Sequence, residues 1–131
     1  METTIIGGGH VGRELSERLV EREVSVAFLE EDAAIVEQTD GGVDARETDV
    51  SDVRSLSNAG VERARTVIVA TESDSRNLLI AVSVRTAFET DRLIVLVNHP
   101  QNVELFEDVD ADVTCSTRAV ATALEDVYEG R

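Results

Sequence analysis

The sequence predicts an α/β domain with a doubly wound, six-stranded parallel sheet. Three observations carry that reading. A β-prone run at 3–6 leads through a glycine cluster into a helical pattern. Short runs rich in Val and Ile then alternate with helical segments along the whole chain. Finally, 131 residues of which 42% are apolar suit a single domain, read here as spanning 1–131.

The elements follow in order. Thr3, Thr4, Ile5 and Ile6 form the first strand, and "GGGHVG" makes the turn. Val11, Leu15 and Leu19 recur at i, i+4 and i+8, one apolar stripe of a helix over 11–21. "VSVAFL" is the second strand, 24–29, followed by a helix over 32–38. Glycines at 41 and 42 mark a turn before a weaker third strand, Val43 to Thr48. A helix at 51–58 ends at Gly60, a suitable C-terminal glycine. "RTVIVA", 65–70, is a strand buried on both faces, and Asp74 or Ser75 can cap a long helix at 76–89. "DRLIVLVN", 91–98, is the fifth strand. Pro100 suits the first turn of a helix at 100–108. "ADVTC" is a short sixth strand, and Ser116 or Thr117 can cap a last helix through Tyr128. Right-handed crossovers make 3-2-1-4-5-6 the expected strand order, a Rossmann-type sheet with its ligand crevice between strands one and four.

The glycine turn spaces Gly7, Gly9 and Gly12 as G-x-G-x-x-G, with Gly8, His10 and Val11 between them. Strand, turn and helix come in the order a dinucleotide fingerprint needs. Gly7 permits the bend, Gly9 admits a pyrophosphate to the backbone, and Gly12 lets the helix approach the strand. The helix start then presents its amides and positive dipole end to an anion. Such a site also asks for an acid at the end of the second strand. Glu30 stands there, placed to accept hydrogen bonds from ribose hydroxyls and to repel a 2′-phosphate. NAD(H) or an adenine nucleotide is expected over NADP.

Charge narrows the partners. The net charge is −15, from 27 acids and 12 bases, and every base is Arg. Self-repulsion at that charge favours folding in high salt, and the spread of acids along the chain suits a salt-loving cytoplasm. No basic patch exists to neutralise phosphates, so nucleic acid is not an expected partner. No apolar run approaches a membrane span, and no signal peptide opens the chain, so a cytoplasmic protein is expected. Cys115 reads as a small buried strand residue, and His10 and His99 do not make a metal set. Helix 76–89 is apolar on more than one face, and the last helix carries Val120, Leu124 and Val127 on one stripe. Both are expected at a subunit interface of a homodimer or larger homo-oligomer.

From residue 3 to 127 the chain resembles the nucleotide-binding domain of the TrkA-N family, also called the RCK or KTN domain. The similar segments are "IIGGGHVGRELSERL", "VAFLEED", "ETDVSDVRSLSNAGVERA", "TVIVATESDSRNLLIA" and "VLVNHPQNVELFEDVDADVTCS". The resemblance implies a non-catalytic regulator of a membrane potassium transporter or channel, peripheral to the membrane through that partner, with NAD(H), AMP, ADP or ATP as ligand. It implies that Gly7, Gly9 and Gly12 hold phosphates and that Glu30 binds the adenosine ribose. It places Thr48 and Asp49 beside the adenine, Thr71 and Glu72 along the cleft, and Asn77 and Asn98 near the switch point. Two departures remove cations that the family often has: His10 inside the glycine turn and Leu96 in the fifth strand. The turn at Thr48-Asp49-Val50-Ser51 also departs from the family's Gly-Asp-Ala-Thr. The chain stops where the family's effector subdomain would begin, as a stand-alone subunit or as one domain of a longer chain. A small NAD-dependent oxidoreductase and an assembly module without a ligand remain the competing readings.

Overall fold

The computed structural model describes residues 2–131. Its strands are β1 (Thr3–Ile6), β2 (Val26–Glu30), β3 (Asp44–Glu47), β4 (Thr66–Val69), β5 (Arg92–Val97) and β6 (Asp112–Cys115). Its helices are α1 (Gly9–Glu21), α2 (Ala33–Gln38), α3 (Val53–Asn58), α4 (Asp74–Ala87) and α5 (Ser116–Tyr128). The strands form one parallel sheet in the order β3-β2-β1-β4-β5-β6. This is the expected doubly wound order, and it puts β1 at the centre with β2 and β4 on either side.

The two-residue period of a strand sorts its side chains between two cores. Ile5 and Phe28 face one side and pack with Val26, Ile35 and the half-buried Leu15 and Leu19 of α1. Ile6 and Leu29 face the other, with Val67, Val69, Val95 and Val97. On that side Ile80, Ala81 and Val84 of α4 and Leu56 of α3 complete the larger core. Each fully buried Val, Leu or Ile contributes about 1.5–3 kcal/mol. Of the acids, Glu30 and Asp74 are buried, and the others lie outside this interior.

Several local expectations change. α1 begins at Gly9, and Val11 is 64% exposed rather than part of the buried stripe. Ser73, not Asp74 or Ser75, caps α4: its hydroxyl accepts from the Arg76 N–H at 3.2 Å. Residues Pro100–Phe106 form a 3₁₀ segment instead of an α-helix, because Asn98, His99 and Asn102 at its start are drawn onto the Asp74 carboxylate. Neither Ser116 nor Thr117 caps α5; both hydroxyls donate back to the Asn98 carbonyl, at 3.4 and 3.0 Å. Gly60 does end α3 in the left-handed region, at φ +90°. No helix among the described residues is long and apolar enough to cross a membrane.

Candidate functional site

The glycine turn sits at the carboxyl end of β1. Gly7 N–H donates to the Leu29 carbonyl at 2.8 Å, which ties the turn to β2. Two of its glycines are required for opposite reasons. A Cβ on Gly12 would stand 2.2 Å from the Gly7 carbonyl oxygen and 2.7 Å from Phe28 Cε1, so α1 can lie this close to the strands only without a side chain there. A Cβ on Gly9 would meet nothing within 4 Å, but its φ of +53° is left-handed and its surroundings are the open crevice.

Glu30 closes the far side of the turn. It is the last residue of β2, and its side chain bends back under the start of α1. Oε1 accepts from the Gly9 N–H and Oε2 from the Asp32 N–H, both at 2.9 Å. An ionised carboxylate offers about four acceptor sites. Those two bonds fix the group and leave lone pairs for hydroxyl donors. The neighbouring strand joins here: the Thr48 N–H donates to the Glu30 carbonyl at 2.9 Å. Asp49 follows, and its Oδ1 accepts from the Ser51 hydroxyl at 2.6 Å and the Ser51 N–H at 3.1 Å. The Ser51 hydroxyl above all, then the Ser51 N–H, hold the Asp49 carboxyl below the usual carboxylate range, with a smaller contribution from Arg76. Thr48-Asp49-Val50-Ser51 thus makes its turn through an aspartate side chain, closed by Asp52 N–H on the Asp49 carbonyl at 3.2 Å.

Across the switch point, the end of β4 is held by amide side chains. Asn77 is fully buried; its Nδ2 donates to the carbonyls of Thr71 and Leu96 at 3.0 and 2.9 Å. Its Oδ1 accepts from the Thr71 N–H at 3.1 Å and the Thr71 hydroxyl at 2.5 Å. Asn98 Nδ2 donates to the Thr71 carbonyl at 3.1 Å. Buried Asp74 completes the arrangement. Its Oδ1 accepts from Asn98 N–H (2.6 Å) and Asn98 Nδ2 (3.0 Å), and its Oδ2 from His99 N–H (3.0 Å) and Asn102 Nδ2 (2.8 Å). Burial pushes this carboxyl up. The donors from Asn98, Asn102 and His99 outweigh it and hold the group below its ordinary value.

Between these two regions lies a cleft of about 790 Å³. Gly7, Gly8, Gly9, His10, Val11, Glu30, Thr71 and Glu72 all line it, as the sequence reading expects. Gly12 lies behind the wall, Thr48 and Asp49 stand at the end of β3, and Asn77 and Asn98 turn inward to join β4 to β5. The lining also includes residues that the sequence reading did not single out for the site: Glu31, Asp32, Ile35, Val50, Ser73 and Arg76. Asp32 carried one signal, as an acid directly before a helical run; its carboxylate accepts the Ala34 N–H at 3.0 Å. Arg76 carried none. Leu96, considered as the site of a missing cation, is half-buried in β5 and outside this lining. The cation on the cleft wall comes instead from α4.

Residues 3–117 match the family described as the TrkA-N domain. Among curated proteins, the Trk system potassium uptake protein TrkA of Mycobacterium tuberculosis is 29% identical over 133 residues, covering 96% of this chain and 59% of that protein. The chain thus spans little more than half the length of that relative. Among solved structures, the NAD(P)-binding domain of an exopolyphosphatase-related protein from Archaeoglobus fulgidus superposes with a TM-score of 0.84 at 26% identity, covering 99% of this chain and 98% of that one. The RCK domain of GsuK superposes with a TM-score of 0.82 at 25% identity, covering 98% of this chain and 28% of that one.

Proposed function

From the premise that the chain belongs to the TrkA-N domain family, we propose that it is a non-catalytic nucleotide sensor. It binds NAD(H) or an adenine nucleotide in the cleft and so regulates potassium transport by a membrane partner, working from the cytoplasm. One observation carries the nucleotide half of the proposal. Glu30, fixed by the Gly9 and Asp32 amides, stands at the edge of a glycine turn that opens onto the cleft. This arrangement supports a reading in which Glu30 accepts from ribose hydroxyls beside a helix start that attracts phosphate. The similarity to a solved NAD(P)-binding domain supports the ligand class, and the similarity to a potassium uptake protein supports the transport role.

Regulation needs a second shape whose population the ligand shifts through differential affinity. A homodimer supplies it, built on the exposed Leu79 and Val82 of α4 and on Val120, Leu124 and Val127 of α5.

Charge sets the expected ligand order. Glu30, Glu31, Asp32 and Glu72 line the cleft against Arg76, so each added phosphate is disfavoured. NAD(H), AMP and ADP bind more tightly than ATP, and NADP binds worst. Calorimetric titration of all six in molar KCl tests this, alongside light scattering for the dimer. Absence of binding by every nucleotide, with dimerisation intact, would leave an assembly module and end the sensor reading.

A further inference from the structure

Arg76 belongs to the first turn of α4, on the β4 side of the cleft, yet its guanidinium reaches the β2 side. Its Nη1 donates to Glu31 Oε1, in the loop that follows β2. Its charge also acts on the Asp49 carboxylate at the end of β3. The side chain therefore crosses the mouth of the cleft. It lines both the main cleft and a second cavity of about 300 Å³, as do Val50 and Ser73, so these three residues stand at the partition between the spaces.

The place of the crossing decides what Arg76 can touch. Phosphates belong at the glycine turn, between β1 and α1. Arg76 points towards Glu31 and Asp49, at the ends of β2 and β3, the nucleoside end of such a crevice. There the buried Val50 offers an apolar wall, and Arg76 offers a planar, weakly hydrated cation. A guanidinium stacks well on an aromatic ring. Its present pairing is cheap to break, because the two side chains are 40% and 42% exposed and solvent screens an exposed ion pair.

We propose that the Arg76–Glu31 pair is a latch across the nucleoside end of the cleft, and that an arriving purine displaces Glu31 and takes the Arg76 guanidinium on its face. The proposal rests on the nucleotide reading above and adds a base-selecting residue to it. Glu31 competes with the base for Arg76, so the two side chains act on affinity in opposite directions, Arg76 directly and Glu31 only through Arg76.

The test measures binding of adenosine, AMP and ribose 5-phosphate to the wild type, Arg76→Ala, Arg76→Lys, Glu31→Gln and the Arg76→Ala/Glu31→Gln pair, with circular dichroism to establish folding. Arg76→Ala weakens adenosine and AMP alike by about three- to tenfold and leaves ribose 5-phosphate unchanged. Arg76→Lys, which keeps the charge but not the plane, behaves like Arg76→Ala. Glu31→Gln tightens adenosine by about two- to fivefold, and does so only while Arg76 is present. Using uncharged adenosine separates release of the latch from simple relief of phosphate repulsion. An Arg76→Ala effect on AMP and ribose 5-phosphate but not on adenosine would make Arg76 a phosphate ligand and overturn the latch. Equal tightening by Glu31→Gln in both backgrounds overturns it too. If AMP binds the wild type but neither side chain alters adenosine affinity, the latch alone falls. If AMP does not bind the wild type at all, the nucleotide reading falls with it.

Discussion

Two carboxylates flank the switch point, and they are used differently. Glu30, on the β2 side, holds two backbone N–H donors and opens onto the cleft. Asp74, on the β4–β5 side, is buried to the same degree as Glu30 but holds four donors from Asn98, His99 and Asn102. One has acceptor capacity left for a ligand. The other is saturated and acts as a bolt between α4, β5 and the 3₁₀ segment. Hydrogen-bond capacity, not residue type or charge, separates the open glycine-turn side of this crevice from its saturated side.

The sharpest way to break this division lies in the turn that serves the open side. Gly12→Ala forces a Cβ onto a backbone carbonyl 2.2 Å away. The loss should be about 3 kcal/mol or more, read as a fall in the denaturation midpoint. Next comes the bolt. Asp74→Ala strands four donors and should cost about 2–3 kcal/mol, with weak effects on nucleotide affinity in the folded fraction. Its pH signature has a definite sign. The folded-state value of Asp74 lies below that of the unfolded chain, near 3.9 for an ordinary Asp. Its stabilisation is present above that pH and is lost as pH falls through the folded value. Urea melts should therefore show the wild-type advantage over Asp74→Ala shrinking below about pH 4.

Gly9→Ala should show the reverse balance. Its Cβ meets no protein atom, and the left-handed φ costs only about 1–2 kcal/mol. Nucleotide binding should nevertheless be lost, because the new methyl stands where the phosphates approach. Retained affinity would remove the phosphates from this turn. Glu30→Gln is gentler still: stability should change little, while NADP gains about tenfold relative to NAD as the like charge disappears. The smallest contrast is in salt. The melting temperature should rise by several degrees between dilute and molar KCl, since most of the acids lie outside the buried interior. The Asp74→Ala deficit should not change with it, because hydrogen bonds in a buried site are poorly screened. A flat or falling melting temperature would count against the salt-loving reading.

Much of the glycine-turn side of the cleft was legible in the sequence because its constraints are local. Gly7, Gly9, Gly12 and Glu30 lie within one strand-turn-helix-strand unit, where backbone angles and close approach dictate residue type. The unbroken aliphatic runs in "RTVIVA" and "RLIVLV" likewise revealed strands of the sheet interior. The bolt was not legible, since nothing near Asp74 in the chain shows that its partners are Asn98, His99 and Asn102. The sequence offered Asp74 as a helix cap, and Ser73 one residue earlier took that role instead. Arg76 was hidden in the same way: its partner is Glu31, far back in the chain, and only the parallel crossovers bring them together. Val11 misled because a three-point stripe includes its end, and the end of α1 lies beyond the core.

Helix α5 makes the protein its own probe of assembly. It has no buried side chain, and Tyr128 near its end is 91% exposed. Past its first turn, where the Ser116 and Thr117 hydroxyls bond the Asn98 carbonyl, no buried side chain holds α5 to the domain, so in dilute solution its later amides should take up deuterium within the first moments of labelling. The amides of β1, at the centre of the sheet, should hold their protons until the whole domain opens. Any slowing in α5 that grows with protein concentration, or with a partner added, measures directly what has docked there. The central strands supply the internal clock against which that slowing is read.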